Sequence, residues 1–531
     1  MRNLEQAKAV MEQWLAYEQL EDSLRKELAL IEAEEDILDR FYTDLEFGTA
    51  GLRGIMGAGT NRMNIYTVGR ATRGFAKHLK EEIPCADGES LSVAIAYDTR
   101  HHSELFAKEA AKILTAEGIK VWLFSEPTPT PVLSFAVRHH RCSGGIVITA
   151  SHNPAQYNGY KVYDGKGCQI TEEATEKILE KIRKEPLFTG PAHASAIFTV
   201  PESTKTAYLK AVTERRVGVN CGNLKVVYTP LNGTGAAWVK EILRRVGLSE
   251  VHLVPQQEEP DGRFPTCPYP NPEKPEAMGA GLDLCREIGN VDLLVATDPD
   301  SDRLGAAVWS GKEYKLLTGN EMGLLLLDFL CRTKPFPQEM VAVKTIVSTP
   351  LAEAVAAKYG IKLINVLTGF KYIGEQISLL EEKGEADRFL FGFEESCGFL
   401  SGSYVRDKDG ILAAMLFCEM AAWYKKQKKT LIDALQDLYE EHGFYKSEVL
   451  EYSFPGAQGM EEMARILADL RKTPPKELEG AAVKKTIDYQ DQLELPPANV
   501  LEYHLENGGR IMIRPSGTEP KLKVYINKAE A

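Results

Sequence analysis

The chain is long and acidic, with the composition of an ordinary globular protein. It has 531 residues, of which 44% are hydrophobic and 26% charged, and its formal net charge is -13 at pH 7. Domains average roughly 150 residues, so this length predicts three or four of them, and the composition argues against long disordered regions. Such an acidic surface repels a phosphate backbone, which disfavours general nucleic-acid binding. A small anionic ligand would require positive charge concentrated at one site.

The sequence also predicts a cytoplasmic protein with no membrane partner. Its longest apolar run, Ile411–Cys418, ends at Glu419 and is far shorter than the roughly 20 residues that cross a bilayer. The polar N-terminus lacks the apolar core of a signal peptide. The nine cysteines include no C-x-x-C pair, so neither a zinc ribbon nor a disulfide framework is indicated. The oligomeric state, monomer or dimer, is left open.

Residues 1–40 are predicted to form a helical N-terminal arm. Leu20, Leu24, Leu28 and Ile31 recur every three or four positions among Glu, Lys and Arg residues. This is the spacing of a single apolar helix face.

Beyond the arm, one pattern occurs three times: a β-rich run ending in a Thr, Ser or Gly turn, an amphipathic stretch, and a second strand. The copies are Ser92–Thr99, Ser103–Gly118 and Lys120–Ser125; Leu224–Thr229, Gly233–Gly247 and Glu250–Val254; and Met340–Ser348, Pro350–Gly360 and Ile361–Val366. Strands that alternate with helices predict βαβ units and mixed or parallel sheets. Three copies suggest three related domains.

The tail of the chain has a different pattern. Its strand-like runs are Ser447–Phe454, Val500–His504, Gly509–Ile513 and Leu522–Ile526, with helices between them. We therefore predict an α/β protein, with a smaller C-terminal α+β domain and a central cleft. The predicted domains are three related α/β domains with mixed sheets at 41–205, 206–320 and 321–440, and the α+β domain at 441–531.

A serine lies at the end of a strand that looks buried. The run Gly144–Ala150 is apolar and Asn153-Pro154 forces a turn, so Ser151 lies at a carboxyl strand end, where α/β folds bind ligands. The flanking residues do not form the G-x-S-x-G nucleophile elbow, which disfavours acyl-hydrolase chemistry. Ser151 is either a nucleophile or a residue that caps its own turn.

Three alternate carboxylates follow the apolar strand Val291–Thr297: Asp298, Asp300 and Asp302. Without a cation, each pair at about 4 Å would repel by roughly 4 kcal/mol at an effective dielectric constant near 20. Arg303 occupies the position where an EF-hand requires glycine, which excludes a calcium loop of that type. The motif predicts an octahedral Mg²⁺ site with room for a phosphate, the alternative being a solvated acidic turn.

Three further motifs have the residue types of ligand loops. R-P-S-G-T-E-P at 514–520 suits a phosphate, G-F-E-E-S-C-G at 392–398 suits sugar hydroxyls, and the glycine-rich F-G-T-A-G-L-R-G at 47–54 suits an anion. Each of them could also be an ordinary turn. The serine, the aspartates, the sugar loop and the phosphate loop fall in four different predicted domains, so a shared site would be an interdomain cleft.

Four motifs resemble those of the α-D-phosphohexomutase family and occur in the same order: T-A-S-H-N-P, D-P-D-S-D-R, G-F-E-E-S and R-P-S-G-T-E-P. The resemblance extends from Phe47 to Pro520. The glycine-rich loop and the helical arm are more similar to its phosphoglucomutase and phosphopentomutase branch. The resemblance implies an isomerase, an intramolecular phosphotransferase acting on small sugar phosphates. It implies transfer between C1 and C6 of glucose through a glucose 1,6-bisphosphate intermediate; pentose and mannose phosphates are alternative substrates.

The resemblance also implies roles for individual residues, with a phosphoryl group carried on Ser151 and one Mg²⁺ per chain. The implied catalytic residues are Ser151, Lys161, Lys371, Arg53 and His152. The implied metal ligands are Ser151, Asp298, Asp300 and Asp302. The implied substrate-binding residues are Glu394, Ser396, Arg303, Thr368, Arg514, Ser516, Gly517 and Thr518. Burial beside other cations would lower the pKa of a lysine that transfers protons.

Two other interpretations remain open from the residues. Asp298-x-Asp300 resembles the D-x-D of haloacid-dehalogenase phosphatases, in which the first aspartate is the nucleophile. There, the residue two beyond the second aspartate is typically Thr or Val, whereas here it is Asp302, and Ser151 and Arg514 would have no role. The other alternative is a regulator that binds sugar phosphates without turnover.

Overall fold

The N-terminal arm consists of three short helices. The computed structural model describes residues 1–48, 51–84, 90–190, 197–336, 338–454, 456–491, 494–516 and 521–530. The arm contains α1 (Leu4–Ala16), α2 (Asp22–Ala29) and α3 (Glu34–Phe41). Leu20 and Ile31 of the predicted stripe lie in the connections, because Glu21 caps a new helix at α2. Trp14 anchors the arm against Phe188, with ring centroids 5.3 Å apart.

The first α/β domain is built on one seven-stranded mixed sheet. Its strands are β1 (Phe47–Gly48), β2 (Gly51–Ile55), β3 (Ser92–Tyr97), β4 (Lys120–Leu123), β5 (Gly144–Ile148), β6 (Tyr157–Asp164) and β7 (Ile197–Thr199), and its helices are α4 (Ile65–Glu82), α5 (Ser103–Ala116), α6 (Thr130–His139) and α7 (Glu172–Lys184). The strand order is β1-β2-β6-β5-β3-β4-β7. β3 is parallel to β4 and β5, whereas β6 is antiparallel to β5. Every residue of β5 is buried, as its apolar sequence requires.

Helix α8 (Glu202–Thr213) leads into the second α/β domain. The elements of this domain are β8 (Lys225–Thr229), α9 (Ala236–Arg245), β9 (Glu250–Leu253), α10 (Pro275–Ile288), β10 (Leu293–Thr297), β11 (Leu304–Trp309) and β12 (Tyr314–Leu317). The strand order is β12-β11-β10-β8-β9. β8 is parallel to β9 and β10, and β11 is antiparallel to β10, so the sheet is mixed.

The third α/β domain has a four-stranded sheet in the order β14-β13-β15-β16. Its elements are α11 (Gly319–Thr333), β13 (Val341–Thr345), α12 (Leu351–Lys358), β14 (Lys362–Val366), α13 (Phe370–Glu382), a 3₁₀ turn (Ala386–Arg388), β15 (Phe389–Glu394), β16 (Gly398–Leu400), α14 (Gly410–Lys426) and α15 (Leu431–His442). All three predicted strand–helix–strand copies are thus confirmed, with ends shifted by a few residues. Each copy forms a parallel strand pair.

The C-terminal domain is a six-stranded antiparallel sheet in the order β17-β22-β21-β20-β19-β18. Its elements are β17 (Phe444–Ser453), α16 (Gly456–Lys472), β18 (Glu477–Leu478), β19 (Ala481–Asp488), β20 (Leu501–Leu505), β21 (Arg510–Pro515) and β22 (Lys521–Glu530). The four predicted strands are present. β18 and β19 were not predicted, because β19 is half-exposed and its Lys484-Lys485 pair interrupts any apolar pattern.

Helix α14 and Arg510 both make contacts between domains. Helix α14, buried along nearly its whole length, contacts α9 and β10 of the second domain as well as β16 of its own, which explains the longest apolar run of the sequence. Arg510 of the C-terminal domain places both terminal nitrogens 3.1 Å from the carboxylate of Glu353 on α12. Within the described ranges, no helix combines the length and apolar character needed to cross a membrane.

Candidate active site

Ser151 lies immediately after β5 and is held in an unusual backbone conformation. Its φ angle of 50° is in the left-handed region, which non-glycine residues rarely adopt. Its amide N–H donates to Thr149 Oγ1 at 2.8 Å, and its hydroxyl donates to Asp298 Oδ2 at 2.6 Å. The side chain is therefore aimed from the first domain at the acidic loop of the second, and the residue is only 4% exposed.

Asp298, Asp300 and Asp302 form a compact, buried carboxylate cluster. Their candidate ligand oxygens lie within 4.8 Å of one another, and they are the one such group found among the described residues. The loop turns at Ser301, whose φ is 55°, and the backbone N–H groups of Asp302 and Arg303 donate to Asp298 Oδ1 at 3.1 and 3.0 Å. Because each carboxylate keeps at least one oxygen on the shared side, the cluster can hold a hard cation.

The charges of the cluster are unevenly stabilised. Burial raises the pKa of Asp298, and the neighbouring carboxylates of Asp300 and Asp302 raise it further. Burial also opposes ionisation of Asp300, but the ammonium of Lys161 outweighs it and holds the pKa of Asp300 below its usual range. Oδ1 of Asp300 is buried and has no hydrogen-bond donor within the described ranges. A divalent cation would satisfy this oxygen and relieve the repulsion at Asp298.

Two lysines from different domains contact the cluster. Lys161 on β6 has its Nζ 2.8 Å from Asp300 and 3.5 Å from Asp302, and Nζ of Lys408 is 2.9 Å from Asp302. Burial lowers the pKa of both lysines, but the facing carboxylates outweigh it and leave both pKa values above the ordinary value. For Lys161 this is the opposite of the downward shift considered from the sequence, since its nearest neighbours are carboxylates rather than cations.

Lys408 is absent from the residues inferred from the sequence. A signal for it exists in Arg406-Asp407-Lys408-Asp409, four charges directly before the buried helix α14. The flanking aspartates accept hydrogen bonds from tyrosines of other segments: Tyr163 to Asp407 at 2.7 Å and Tyr208 to Asp409 at 2.7 Å. These hydrogen bonds hold the segment against other domains. Their partners are distant in the sequence, so no single motif indicates them.

Arg303, Arg53 and His152 surround the serine loop. Arg303 donates to Glu273 at 2.6 Å, and Arg53 on β2 donates to the side chain of Asn153 at 3.2 Å. His152 packs edge-on against Tyr269, and burial, followed by the charges of Arg303 and Arg53, places its pKa well below the usual value. His152 is thus a neutral imidazole beside the serine.

The predicted sugar loop (392–398) follows β15 and lies against the acidic loop that contains Asp298, Asp300 and Asp302. The backbone N–H of Leu304 donates to the carbonyl of Cys397 at 3.0 Å, which joins the two loops. Glu394 is 5% exposed, and Ser396 donates to its Oε2 at 3.4 Å. Burial raises the pKa of Glu394 to about 7, with Lys408 acting in the opposite direction.

Lys371, near the start of α13, forms an ion pair with a carboxylate of the first domain. Its Nζ is 2.6 Å from Glu172 on α7, a contact between the third and first domains. Tyr372 donates to the same carboxylate oxygen at 2.6 Å. Thr368, three positions earlier, has a buried hydroxyl without a hydrogen-bond partner in the described parts of the chain, so a polar group of a ligand could pair with it.

The predicted phosphate loop begins at the end of β21. The N–H of Ser516 donates to the carbonyl of Lys521 at 2.7 Å, which brings β21 and β22 together at this end. Arg514 lies beside Tyr525. Burial raises the pKa of Tyr525, the carboxylates of Glu395 and Glu394 raise it further, and Arg514 opposes the rise. Gly517 and Thr518 lie outside the described residues. Tyr525 belongs to the same apolar cluster as Ile346 and Leu367 of the third domain, so this part of the C-terminal sheet packs on that domain.

The fold and the site define a class: a four-domain enzyme in which a serine and an acidic triad meet at the carboxyl ends of two strands, with two lysines in contact with the triad. Family models called phosphoglucomutase/phosphomannomutase match the chain in order: α/β/α domain I at 44–187, domain II at 206–311, domain III at 318–442 and the C-terminal domain at 462–531.

Similar proteins agree with this match. A phosphoglucomutase of Staphylococcus epidermidis is 36% identical, covering 96% of this chain and 95% of its own, and that of Staphylococcus haemolyticus is 36% identical, covering 92% and 91%. A solved structure of a putative phosphomannomutase from Thermus thermophilus is 25% identical, with a TM-score of 0.71, covering 92% of this chain and 96% of that one.

The chain belongs to the phosphoglucomutase/phosphomannomutase family. It is an isomerase of the intramolecular phosphotransferase type, which confirms the family and enzyme class predicted from the motifs. The haloacid-dehalogenase and regulator interpretations are set aside, since the match extends through all four domains. The fold is also that of parafusin (phosphoglucomutase) from Paramecium, with a TM-score of 0.67 at 18% identity, covering 92% of this chain and 91% of that one.

Proposed function

We propose that this enzyme interconverts glucose 1-phosphate and glucose 6-phosphate through glucose 1,6-bisphosphate, with Ser151 as the phosphoryl carrier. The observation that carries the proposal is the 2.6 Å contact between the Ser151 hydroxyl and Asp298 of the acidic triad. The phosphoglucomutases at 34–36% identity over nearly the full chain support glucose as the sugar. The motif order of the sequence supports the same mechanism.

The acidic triad fits a single Mg²⁺. Asp298, Asp300 and Asp302, together with a phosphate on Ser151, would hold the ion, which neutralises charge on the transferring group when bound. The support is the buried, unpaired Asp300 Oδ1 and the raised pKa of Asp298. Three carboxylates and two lysines leave one net negative charge, which a divalent cation converts to a positive site for a phosphate.

In the first half-reaction, the 6-hydroxyl oxygen of glucose 1-phosphate attacks the phosphorus carried on Ser151. The bond from phosphorus to the sugar oxygen forms as the bond to Ser151 Oγ breaks, which yields glucose 1,6-bisphosphate; the hydroxyl proton leaves and Oγ gains one. After the bisphosphate reverses its orientation, Ser151 Oγ attacks the phosphorus of the 1-phosphate. The bond from Oγ to phosphorus forms as the bond from phosphorus to the C1 oxygen breaks; Oγ loses its proton and the C1 oxygen gains one. Glucose 6-phosphate is released and the phosphoserine is restored.

The protein's own cations are suited to this chemistry. Lys161 and Lys408 have raised pKa values, so both remain protonated at neutral pH, and they are proposed as the proton donors to the departing Oγ. Arg53 and Arg303 are proposed to stabilise the equatorial oxygens of the transferring phosphoryl group. Lys371 and His152 are proposed as secondary proton carriers, His152 in its neutral form.

The remaining residues are proposed to hold the substrate. The proposed sugar-binding residues are Glu394, Ser396 and Thr368, and the proposed ligands of the phosphate that is not transferred are Arg514, Ser516, Gly517 and Thr518. The support is the proximity of Tyr525, which Arg514 contacts, to the sugar loop. A distal phosphate held there keeps the reacting hydroxyl at a fixed distance from Ser151.

The sugar preference is tested by comparing glucose 1-phosphate, ribose 1-phosphate and mannose 1-phosphate in parallel, with catalytic bisphosphate present. We expect the highest kcat/KM for glucose 1-phosphate, because a site that pairs with a hydroxyl loses that pairing when the hydroxyl is missing or inverted. A higher kcat/KM for ribose 1-phosphate or mannose 1-phosphate would assign the enzyme to the alternative substrate.

A second prediction concerns pH. Glu394, with a pKa of about 7, accepts stronger hydrogen bonds from sugar hydroxyls, and on both oxygens, when it is ionised. We therefore expect kcat/KM of the free enzyme to fall as pH drops below about 7. Glu394→Gln should lower kcat/KM at pH 8. In this variant, kcat/KM should no longer fall because of protonation at position 394. Protonation of the substrate phosphate affects both enzymes equally, so an unchanged acidic limb in the variant would contradict the assignment.

A further inference from the structure

An arginine behind the serine loop holds the loop by its backbone. Arg100 is 3% exposed and lies just beyond β3. Its Nη2 donates to the carbonyls of Ser151 and Asn153, the latter at 2.5 Å, and its Nη1 donates to those of Pro154 and Tyr157 at 2.9 and 3.1 Å. The guanidinium of Arg100 thus donates hydrogen bonds to four carbonyl oxygens in and around the turn that carries Ser151.

A buried carboxylate joins this arginine to the other end of the loop. Asp98 lies 3.2 Å from Nε of Arg100 and accepts from the hydroxyl of Thr149 at 2.7 Å. The Thr149 hydroxyl oxygen in turn accepts the N–H of Ser151. The peptide groups on both sides of Ser151 are therefore fixed, the N–H through Thr149 and the carbonyl through Arg100.

Residues of the second domain cover Arg100 and Asp98. The guanidinium of Arg100 lies 5.0 Å from the centroid of the Phe264 ring, which is fully buried. Gly262 packs so closely that an added Cβ would come within 2.7 Å of the carbonyl oxygen of Thr99. Because water is kept from the pair, the four carbonyls have no substitute donor if the guanidinium is removed.

We propose that Arg100 is the positioning residue of the phosphoryl carrier: it holds Ser151 in its left-handed conformation, so that Oγ faces Asp298. This rests on the proposed function of Ser151. The four terminal N–H groups of a planar guanidinium can serve four carbonyls while its charge faces Asp98, whereas the ammonium of lysine offers three donors from one atom. Arg100 itself contacts backbone and Asp98, so its effect on chemistry passes through the loop.

The test is the rate at which glucose 1,6-bisphosphate phosphorylates the dephosphorylated enzyme, followed by intact mass. Arg100→Lys should slow this labelling roughly 10²-fold, the effect of a displacement of about 1 Å, and lower kcat in parallel while KM changes little. Arg62→Lys is the matched control. Arg62 is also buried, pairs with Asp39 and donates to a backbone carbonyl at 3.0 Å. Because its partner Asp39 belongs to the N-terminal arm, this substitution should leave labelling unchanged.

The outcomes separate the two proposals. If the wild-type enzyme takes up no phosphate on Ser151, the proposed function fails. If wild type, Arg62→Lys and Arg100→Lys label at the same rate, the positioning role fails and the function stands. Should Arg100→Lys not fold, Arg100→Gln decides, since its amide offers two donors in place of the four that Arg100 gives to the carbonyls. Labelling at least tenfold slower supports the role, and unchanged labelling overturns it.

Discussion

Ser151→Ala is expected to abolish the interconversion of glucose phosphates and to leave a protein that takes up no phosphate. No hydroxyl would then lie opposite the acidic triad, where the Ser151 hydroxyl now contacts Asp298 at 2.6 Å. Loss of a covalent nucleophile lowers turnover by a factor on the order of 10⁴ or more. Coupled activity assays and intact mass after incubation with glucose 1,6-bisphosphate provide the measurement.

The matched control is Ser310→Ala. Ser310 lies in the turn between β11 and β12, and its hydroxyl donates to the carbonyl of Glu313, so its loss affects the surface of the second domain only. This variant should keep both turnover and the phosphate label. Phosphate uptake or more than about 1% of activity in Ser151→Ala would show that another group carries the phosphoryl group.

Asp300→Asn is expected to have the second largest effect, on metal dependence. The substitution removes one of three charges from a cluster whose ligand oxygens lie within 4.8 Å, and it removes the closest partner of Lys161. We expect the Mg²⁺ concentration for half-maximal activity to rise at least tenfold, and kcat at saturating Mg²⁺ to fall by about 10²–10³, as when a preorganised electrostatic contact is lost.

Calorimetric titration of Mg²⁺ into the phosphorylated enzyme measures the site without relying on turnover. Asp283→Asn is the control, because Asp283 lies exposed on α10 and pairs with Arg286 on the same helix. It should bind Mg²⁺ like the wild type. Equal Mg²⁺ affinity in Asp300→Asn and Asp283→Asn would remove Asp300 from the metal site.

The arrangement of charge explains how an acidic protein can accept an anionic substrate. The chain carries -13 overall, but Lys161, Lys408, Arg303 and Arg53 gather near one serine and one triad. Burial of this group strengthens each interaction, since little water screens it. The sequence predicted this concentration from motif composition, and the structure adds Lys408 to it.

Several features could not be predicted because they depend on partners far apart in the chain. The sequence predicted a helical arm, but its division into three helices and the packing of the arm against Phe188 appear only in the structure. Lys371 pairs with Glu172 across a domain boundary. His152 follows Ser151 in sequence, but its ring packs on Tyr269 of the second domain; no local pattern indicates such contacts.

The family, the strand–helix–strand copies and the residue types of the site follow from the linear sequence, because periodicity and motif order are properties of neighbouring residues. The upward pKa shift of Lys161, the approach of Lys408 and the carbonyl bonds of Arg100 follow from the three-dimensional arrangement. Each depends on distances between atoms that the chain separates by up to hundreds of residues, and electrostatic energy varies with those distances and with burial.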